Sequence, residues 1–205
     1  DQLDRVGEIN SIERALRAAV MAHPDATVVA NCDDVLITSV AYDHPNVVWV
    51  SAGAGWTGDS VTNPRSGGHV VRSSVTHEGE ADWYAVEPLP DGREFRRPTP
   101  TYKVEGETLV GPEGVAKLEL KLPGRANRGN AAQAIAAAVE AFGVPLDAAV
   151  HAAAEVDNVA GRYTTVHLGE RDVHLLLAKN PAGWQEALSM VCLLYTSPSP
   201  RDKSQ

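Results

Sequence analysis

Apolar positions along the chain fall into two rhythms. Ile9, Ile12, Leu16, Ala19 and Val20 repeat at the spacing of one helix face, which predicts a first helix over about Ser11 to Ala22. Ala26 to Ala30 is a short β-branched run. The polar turn Asn31-Cys-Asp-Asp34 and the helix-like stretch DDVLITSVAY follow it, giving a strand, a turn at its carboxyl end, and a helix N-capped by Asp. Val47 to Val50 reads as a second buried strand. The order helix, strand, helix, strand argues for a parallel sheet with crossovers, hence an α/β fold. Gly53 to Gly68 reads as a loop, and the alternating runs between His69 and Arg97 as a small β-ribbon inserted into the main fold. Thr101 to Leu122 offers three strand candidates, TYKV, ETLVG and VAKLELKL, separated by Glu-Gly and Gly-Pro turns. Helices are expected at Ala131 to Phe142, ended by Gly143 and Pro145, and at Asp147 to Val156. Tyr163 to Leu168 and Asp172 to Ala178 pattern as a hairpin around Leu-Gly-Glu-Arg.

The two ends change this picture. The chain begins at Asp1 and enters its first helix at once, so a segment is expected upstream. After AGWQEALSMV the character shifts abruptly to Cys192-Leu-Leu-Tyr-Thr-Ser-Pro-Ser-Pro-Arg-Asp202. That run is what a transposase adaptor used in making sequencing libraries encodes in one frame; a Ser/Pro-rich disordered terminus is the plainer alternative. Residues 192 to 205 are therefore set aside as an adaptor read-through.

Composition narrows the class. With 43% hydrophobic and 22% charged residues the chain is ordinary for a globular domain, and a net charge of -9 without a Lys/Arg cluster argues against a nucleic-acid partner. No window holds the roughly 18 apolar residues of a membrane span, and no signal peptide opens the chain, so a cytoplasmic location is expected. Two cysteines, Cys32 and Cys192, make neither a disulfide framework nor a four-ligand zinc site. Cys32 suits small-residue packing better than nucleophilic work. The seven histidines contain no HxH or HxxEH array, and no Ser-His-Asp or Cys-His set assembles. His167 and His174 are expected to face each other in the last hairpin, as a strand pair rather than a metal site.

Three motifs carry candidate chemistry. Gly124-Arg-Ala-Asn127-Arg-Gly-Asn130 lies between a strand and an Ala-rich helix, where backbone amides could meet a ligand and an Asn carboxamide could donate to and accept from an adenine edge. Gly and Asn are equally ordinary turn and cap residues. Arg162, in Asn158-Val-Ala-Gly-Arg-Tyr163, sits at a joint where a guanidinium can reach phosphate or ribose, or can simply be solvated. Lys179 and Asn180 precede Pro181 where a strand gives way to a helix, which a plain connection would also explain. Asp33 and Asp34 fit either support of a magnesium-nucleotide site or helix capping.

Taken in order, Asp1-Gln-Leu-Asp-Arg5, Asn31-x-Asp-Asp34, Gly124-x-x-Asn-x-x-Asn130, Gly161-Arg162 and Asn180-Pro181 resemble the Mur ligase superfamily, whose members activate carboxylates as acyl phosphates with ATP. Asp-Gln-Leu-Asp-Arg-x-Gly-Glu, Gly-Trp-Thr-Gly-Asp, Phe-Arg-Arg-Pro-Thr-Pro, Asn-Val-x-Gly-Arg-Tyr and Leu-Ala-Lys-Asn-Pro-Ala-Gly are similar to its MurT-type branch, the ligase subunits that amidate lipid II. The similarity covers essentially all of residues 1 to 191. It implies part of a central ATPase domain over 1 to 157, with a β-ribbon at about 57 to 100, and the beginning of a C-terminal domain over 158 to 191. It implies ATP and Mg2+ in the complete protein, and a GatD-type glutaminase partner supplying ammonia. The α-carboxylate of D-glutamate in lipid II, at the inner membrane face, would become D-isoglutamine. Asn127 and Asn130 match positions near the nucleotide base, Arg162 the interdomain arginine near the nucleotide, and Lys179 and Asn180 the start of the domain that closes over ATP.

Departures from the pattern matter too. Gln2 stands where classical members often carry a magnesium-linked His. Asn63 and Ser66 stand where many of this branch carry a CPxC zinc pair, so no zinc is expected and the ribbon should be held by Trp83, Tyr84, Val70, Val71 and Phe95. The ATP-gripping Gly-x-x-Gly-Lys-Thr loop and the family's catalytic Asp fall outside these residues, so the 205-residue chain alone is expected to be inactive. The alternatives are a non-catalytic nucleotide- or partner-binding α/β module and a Mur ligase that adds an amino acid.

Overall fold

The computed structural model describes residues 9–53, 57, 60–75, 81–157, 163–179 and 181–196. Helix α1 (Ile9–Met21) is followed by strand β1 (Val28–Asn31), helix α2 (Val35–Ala41) and strand β2 (Val47–Ser51). Strands β3 (Val70–Val75) and β4 (Ala81–Ala85) form a separate antiparallel pair. Next come β5 (Tyr102–Glu105), β6 (Thr108–Gly111) and β7 (Gly114–Lys117), then helices α3 (Arg125–Phe142) and α4 (Leu146–Ala154). A hairpin of β8 (Tyr163–Leu168) and β9 (Arg171–Leu176) precedes helix α5 (Pro181–Thr196).

The fold is α/β, around a mixed five-stranded sheet of order β1-β2-β5-β6-β7. β1, β2 and β5 are parallel, as the alternating order predicts, and β6 and β7 return as antiparallel hairpins. Burial explains the division. Val48, Val50, Tyr102, Leu109 and Leu118 meet Ala132, Ile135, Ala136 and Val139 of α3 and Ala149 of α4 in one core. Small alanines on the inner stripe of α3 let the helix lie close across β1, β2 and β5. Tyr102, fully buried, donates its hydroxyl to Glu140 at 2.7 Å, and burial first and Glu140 second raise its pKa.

The inserted ribbon has its own small core, with Val70, Trp83, Leu89 and Phe95 closing over Val35 of α2. Trp83 and Phe95 pack with their rings tilted, 5.2 Å between centroids, and the Trp83 indole donates to the Cys32 carbonyl at 2.9 Å. Val71 is only partly buried and Tyr84 lies on the exposed face, so of the five residues expected to hold the ribbon, Val70, Trp83 and Phe95 do so. The 63–68 loop is closed by Asn63 itself, which is buried. Its amide donates to Gly68, its carbonyl accepts from Gly67 and its side chain accepts from Arg65.

Three elements differ from the sequence patterns. The apolar stripe of α1 is only partly used: Leu16 and Ala19 are exposed, Ile9, Ile12 and Val20 are half-buried, and the buried residue is Glu13, which accepts from Ser39 of α2 at 2.6 Å and pairs with Arg17. The strand expected over VAKLELKL stops at Lys117, opposite Thr108 where β6 begins; one further bond, from the Leu118 amide to the Glu107 carbonyl at 2.6 Å, closes the pairing. Leu118 and Leu122 still turn into the interior. In the last hairpin Thr165 faces His174 and His167 faces Asp172, so the two histidines are diagonal rather than opposed. α5 extends through Thr196, past the change of character at Cys192. No helix among the described residues is long and apolar enough to cross a membrane.

Candidate functional site

The carboxyl ends of β1 and β2 converge on a polar cluster built by the Asn-x-Asp-Asp segment. Asn31 closes β1 with its side chain: Oδ1 accepts from the Asp33 amide at 3.0 Å, while Nδ2 donates to the Gly53 carbonyl at 3.1 Å. Asp34 caps α2, accepting from the amides of Leu36 and Ile37 at 2.8 and 3.0 Å. Asp33 is fully buried, and both its oxygens are engaged. Oδ1 accepts from Arg97 Nε at 2.7 Å; Oδ2 accepts from the Gly53 amide at 2.7 Å and from Ser51 Oγ at 3.0 Å. Arg97 reaches in from the segment after the ribbon and also donates to Ser51 at 2.9 Å. Burial opposes the charge on Arg97, but Cys32 and Asp33 beside it outweigh that and raise its pKa. Cys32 is fully buried; desolvation first and the neighbouring Asp33 second push its thiol up to about 12, so it packs rather than attacks.

A second guanidinium approaches from β3. Arg72 donates to Ser60 at 2.9 Å, and its Nη1 is buried without a hydrogen-bond partner. Burial lowers its pKa despite Asp34 and Asp33 nearby.

The Gly-x-x-Asn-x-x-Asn motif joins this edge from the other side. Gly124, at φ +100°, supplies the turn that few other residues adopt, and α3 starts immediately afterwards. The motif is thus the first turns of the helix rather than a loop before it, and no side chain caps it. Amides of the first turn remain as donors at the positive end of an 18-residue helix. Gly129 faces the sheet so closely that a Cβ there would lie 2.9 Å from the Ala52 carbonyl oxygen. That contact sets the α3 N-terminal turns beside the end of β2, where ligands of open α/β sheets bind.

The motif side chains divide by task. Asn127 donates to the Pro123 carbonyl at 2.6 Å and so braces the turn, whereas Asn130 is exposed and presents its carboxamide to solvent. The structure thus divides the motif: Gly124 makes the turn into α3, Asn127 braces that turn, and Asn130 is the asparagine left exposed. Helix α5 approaches the same terminus, with Glu186 3.4 Å from Arg125 and Met190 against Gly124. Lys179 is exposed just ahead of α5. Arg162 and Asn180 lie outside the described residues, as do most of the Gly-Trp-Thr-Gly-Asp motif and all of Asp1 to Glu8.

The cluster of Asp33, Ser51, Gly53 and Arg97 was not singled out by sequence. Its signal was the buried-type polar turn after β1 together with an arginine pair before Pro98, but nothing local joins positions so far apart. As for a divalent ion, Asp33 is committed to four partners within the fold and Asp34 to its helix cap, so these carboxylates do not fit a magnesium site. No group of three His, Cys, Asp or Glu among the described residues could hold a metal ion. No protein-family model matches the chain, and no curated protein matches it significantly.

Proposed function

We propose that this chain is part of an ATP-dependent carbon–nitrogen ligase of Mur type, the MurT-type subunit that amidates the α-carboxylate of D-glutamate in lipid II with ammonia from a GatD-type glutaminase. The observation that carries this reading is the uncapped N-terminus of α3, opened by Gly124 and held against the carboxyl end of β2. Free amides and the helix dipole at such a place favour a phosphate. The exposed Asn130, one turn further along, has the donor and acceptor needed by a base edge.

The chemistry proposed is transfer of the γ-phosphoryl group of ATP to the carboxylate, followed by attack of ammonia on the acyl carbon with phosphate leaving. In that sequence α3 and Asn130 bind and orient the nucleotide, while the Asp33–Arg97 pair fixes the β1 and β2 ends that support them. Arg162, Lys179 and Asn180 are assigned to the nucleotide by resemblance. A second reading has an observation in its favour: Met190 and Glu186 lie against the α3 terminus, as they would in a non-catalytic module whose helix end is simply packed by α5.

Co-expression of the complete reading frame with its glutaminase, followed by mass analysis of lipid II, separates the two. ATP-dependent conversion of the carboxylate to an amide is the expected result. Asn130→Ala should weaken ATP binding by ~1–3 kcal/mol, roughly 5- to 150-fold, because the paired contact to the base edge is lost. Absence of amidation together with unchanged ATP affinity in Asn130→Ala and Arg162→Lys would favour the packed module.

A further inference from the structure

At the opposite end of α2 from the sheet edge lies a concave site that the ligase reading does not use. Arg14 and Arg17 from α1, Arg65 from the 63–68 loop and Arg93 from the loop after Leu89 line a cavity of about 370 Å³, walled by Pro64 and Pro90. Four guanidiniums here meet three carboxylates. Asp43 holds Arg65 at 2.5 Å and Arg93 at 2.7 Å, Asp91 holds Arg93 at 2.6 Å, and buried Glu13 holds Arg17 at 3.1 Å. Among the described residues Arg14 donates to the neutral hydroxyl of Ser11, at 2.9 Å. Among the described residues the excess is positive, in a chain whose net charge is -9, so it is a local feature and not a property of the surface as a whole.

The arginines are also held in place before any ligand arrives. Arg65 and Arg93 each sit 5.7 Å from the centre of the Tyr42 ring, and Tyr42 is itself tied to the Glu94 carbonyl at 2.6 Å. Arg65 spends its donors on Ser39 and Asp43 and serves as the floor. Arg14, Arg17 and Arg93 are the partly exposed members that a ligand can reach.

We infer that this cavity binds a small phosphorylated anion, its phosphate taken by Arg14, Arg17 and Arg93 and its body resting on the proline walls. The volume matches small-molecule sites, and a planar fork suits phosphate oxygens. A concave site walled by prolines favours a small ligand over an extended acidic peptide. The site is independent of the proposed ATP edge.

The test titrates the 205-residue chain with inorganic phosphate and pyrophosphate by calorimetry, against chloride at matched ionic strength. Saturable binding is expected, tighter for pyrophosphate, and weakened roughly tenfold in the Arg14→Gln, Arg93→Gln double variant, a loss of about 1.4 kcal/mol. Asp91→Asn should tighten it, because the amide keeps the turn bond to the Arg93 amide at 3.0 Å while releasing the guanidinium from a competing charge. Binding no stronger than chloride, or undiminished in the double variant, overturns the assignment. So does a glutamate-rich peptide that binds while phosphate and pyrophosphate do not.

Discussion

Single charges in this molecule do their work according to how many partners they have. Asp43 is the clearest case, since it joins the end of α2 to two loops through Arg65 and Arg93. Its partial burial disfavours the charged form, but hydrogen bonds and the charges of Arg93 and Arg65 prevail and hold its pKa below the ordinary 3.8. A carboxylate depressed in the folded state adds stability that is complete above the ordinary value and disappears as pH falls through the depressed one. Urea midpoints of the wild type should therefore fall between about pH 5 and pH 3 more steeply than those of Asp43→Asn. Parallel acid limbs would show that the two arginines gain nothing from Asp43. Asp33, with two bonds on each oxygen, stands at the other extreme: it is scaffolding for the sheet edge, though its sequence context suited a metal-nucleotide role equally well.

Among the elements, α3 couples fold and candidate site most directly. Alanine is intrinsically better than glycine inside a helix by about 1 kcal/mol. At position 129, however, the added methyl meets a backbone carbonyl at 2.9 Å, an atom that cannot rotate away. Overpacking of this kind costs ~1–3 kcal/mol. Gly129→Ala is accordingly expected to lower the melting temperature despite its propensity and, on the proposed ligase reading, to weaken ATP binding by lifting α3 off β2; a higher melting temperature would show that the approach has slack.

The periodic elements were legible because each encodes itself locally: the Asp34 cap, the β-branched β1 and β2, and the Gly143 stop after α3. The start of α3 was misplaced because Arg125 to Asn130 is polar and carries two asparagines and a glycine, which read as a turn. Tertiary contact overrides that local preference. Contacts that join distant segments, such as Arg97 to Asp33, leave no periodic trace.

At the scale of the whole molecule, two cores meet across the Cys32–Asp33 segment. The ribbon is seated there through the Trp83 indole and the Arg97 guanidinium. Trp83→Ala removes the largest fully buried side chain among the described residues and its hydrogen bond, and is expected to cost ~3–5 kcal/mol, measured by urea unfolding. A loss under about 1 kcal/mol would mean that the ribbon is a detachable appendage. The same arrangement sets an order of assembly. Ser51 and Lys103 pair as neighbours, although the entire ribbon separates them along the chain. Closing so long a loop is not the obstacle, since doubling its length adds only about 0.6 kcal/mol. The Cys32 carbonyl and the Asp33 carboxylate that seat the ribbon follow the end of β1, which β2 holds, so the ribbon is expected to dock after β1 and β2 have paired. In pulsed hydrogen exchange during refolding, the Arg97 amide, bonded to the Trp83 carbonyl, should gain protection after the Cys32 amide, bonded to the Val50 carbonyl. Protection in the reverse order would mean a ribbon that folds alone. In the expected order, an insertion that lies in the middle of the sequence is, in time, among the last parts of the protein to arrive.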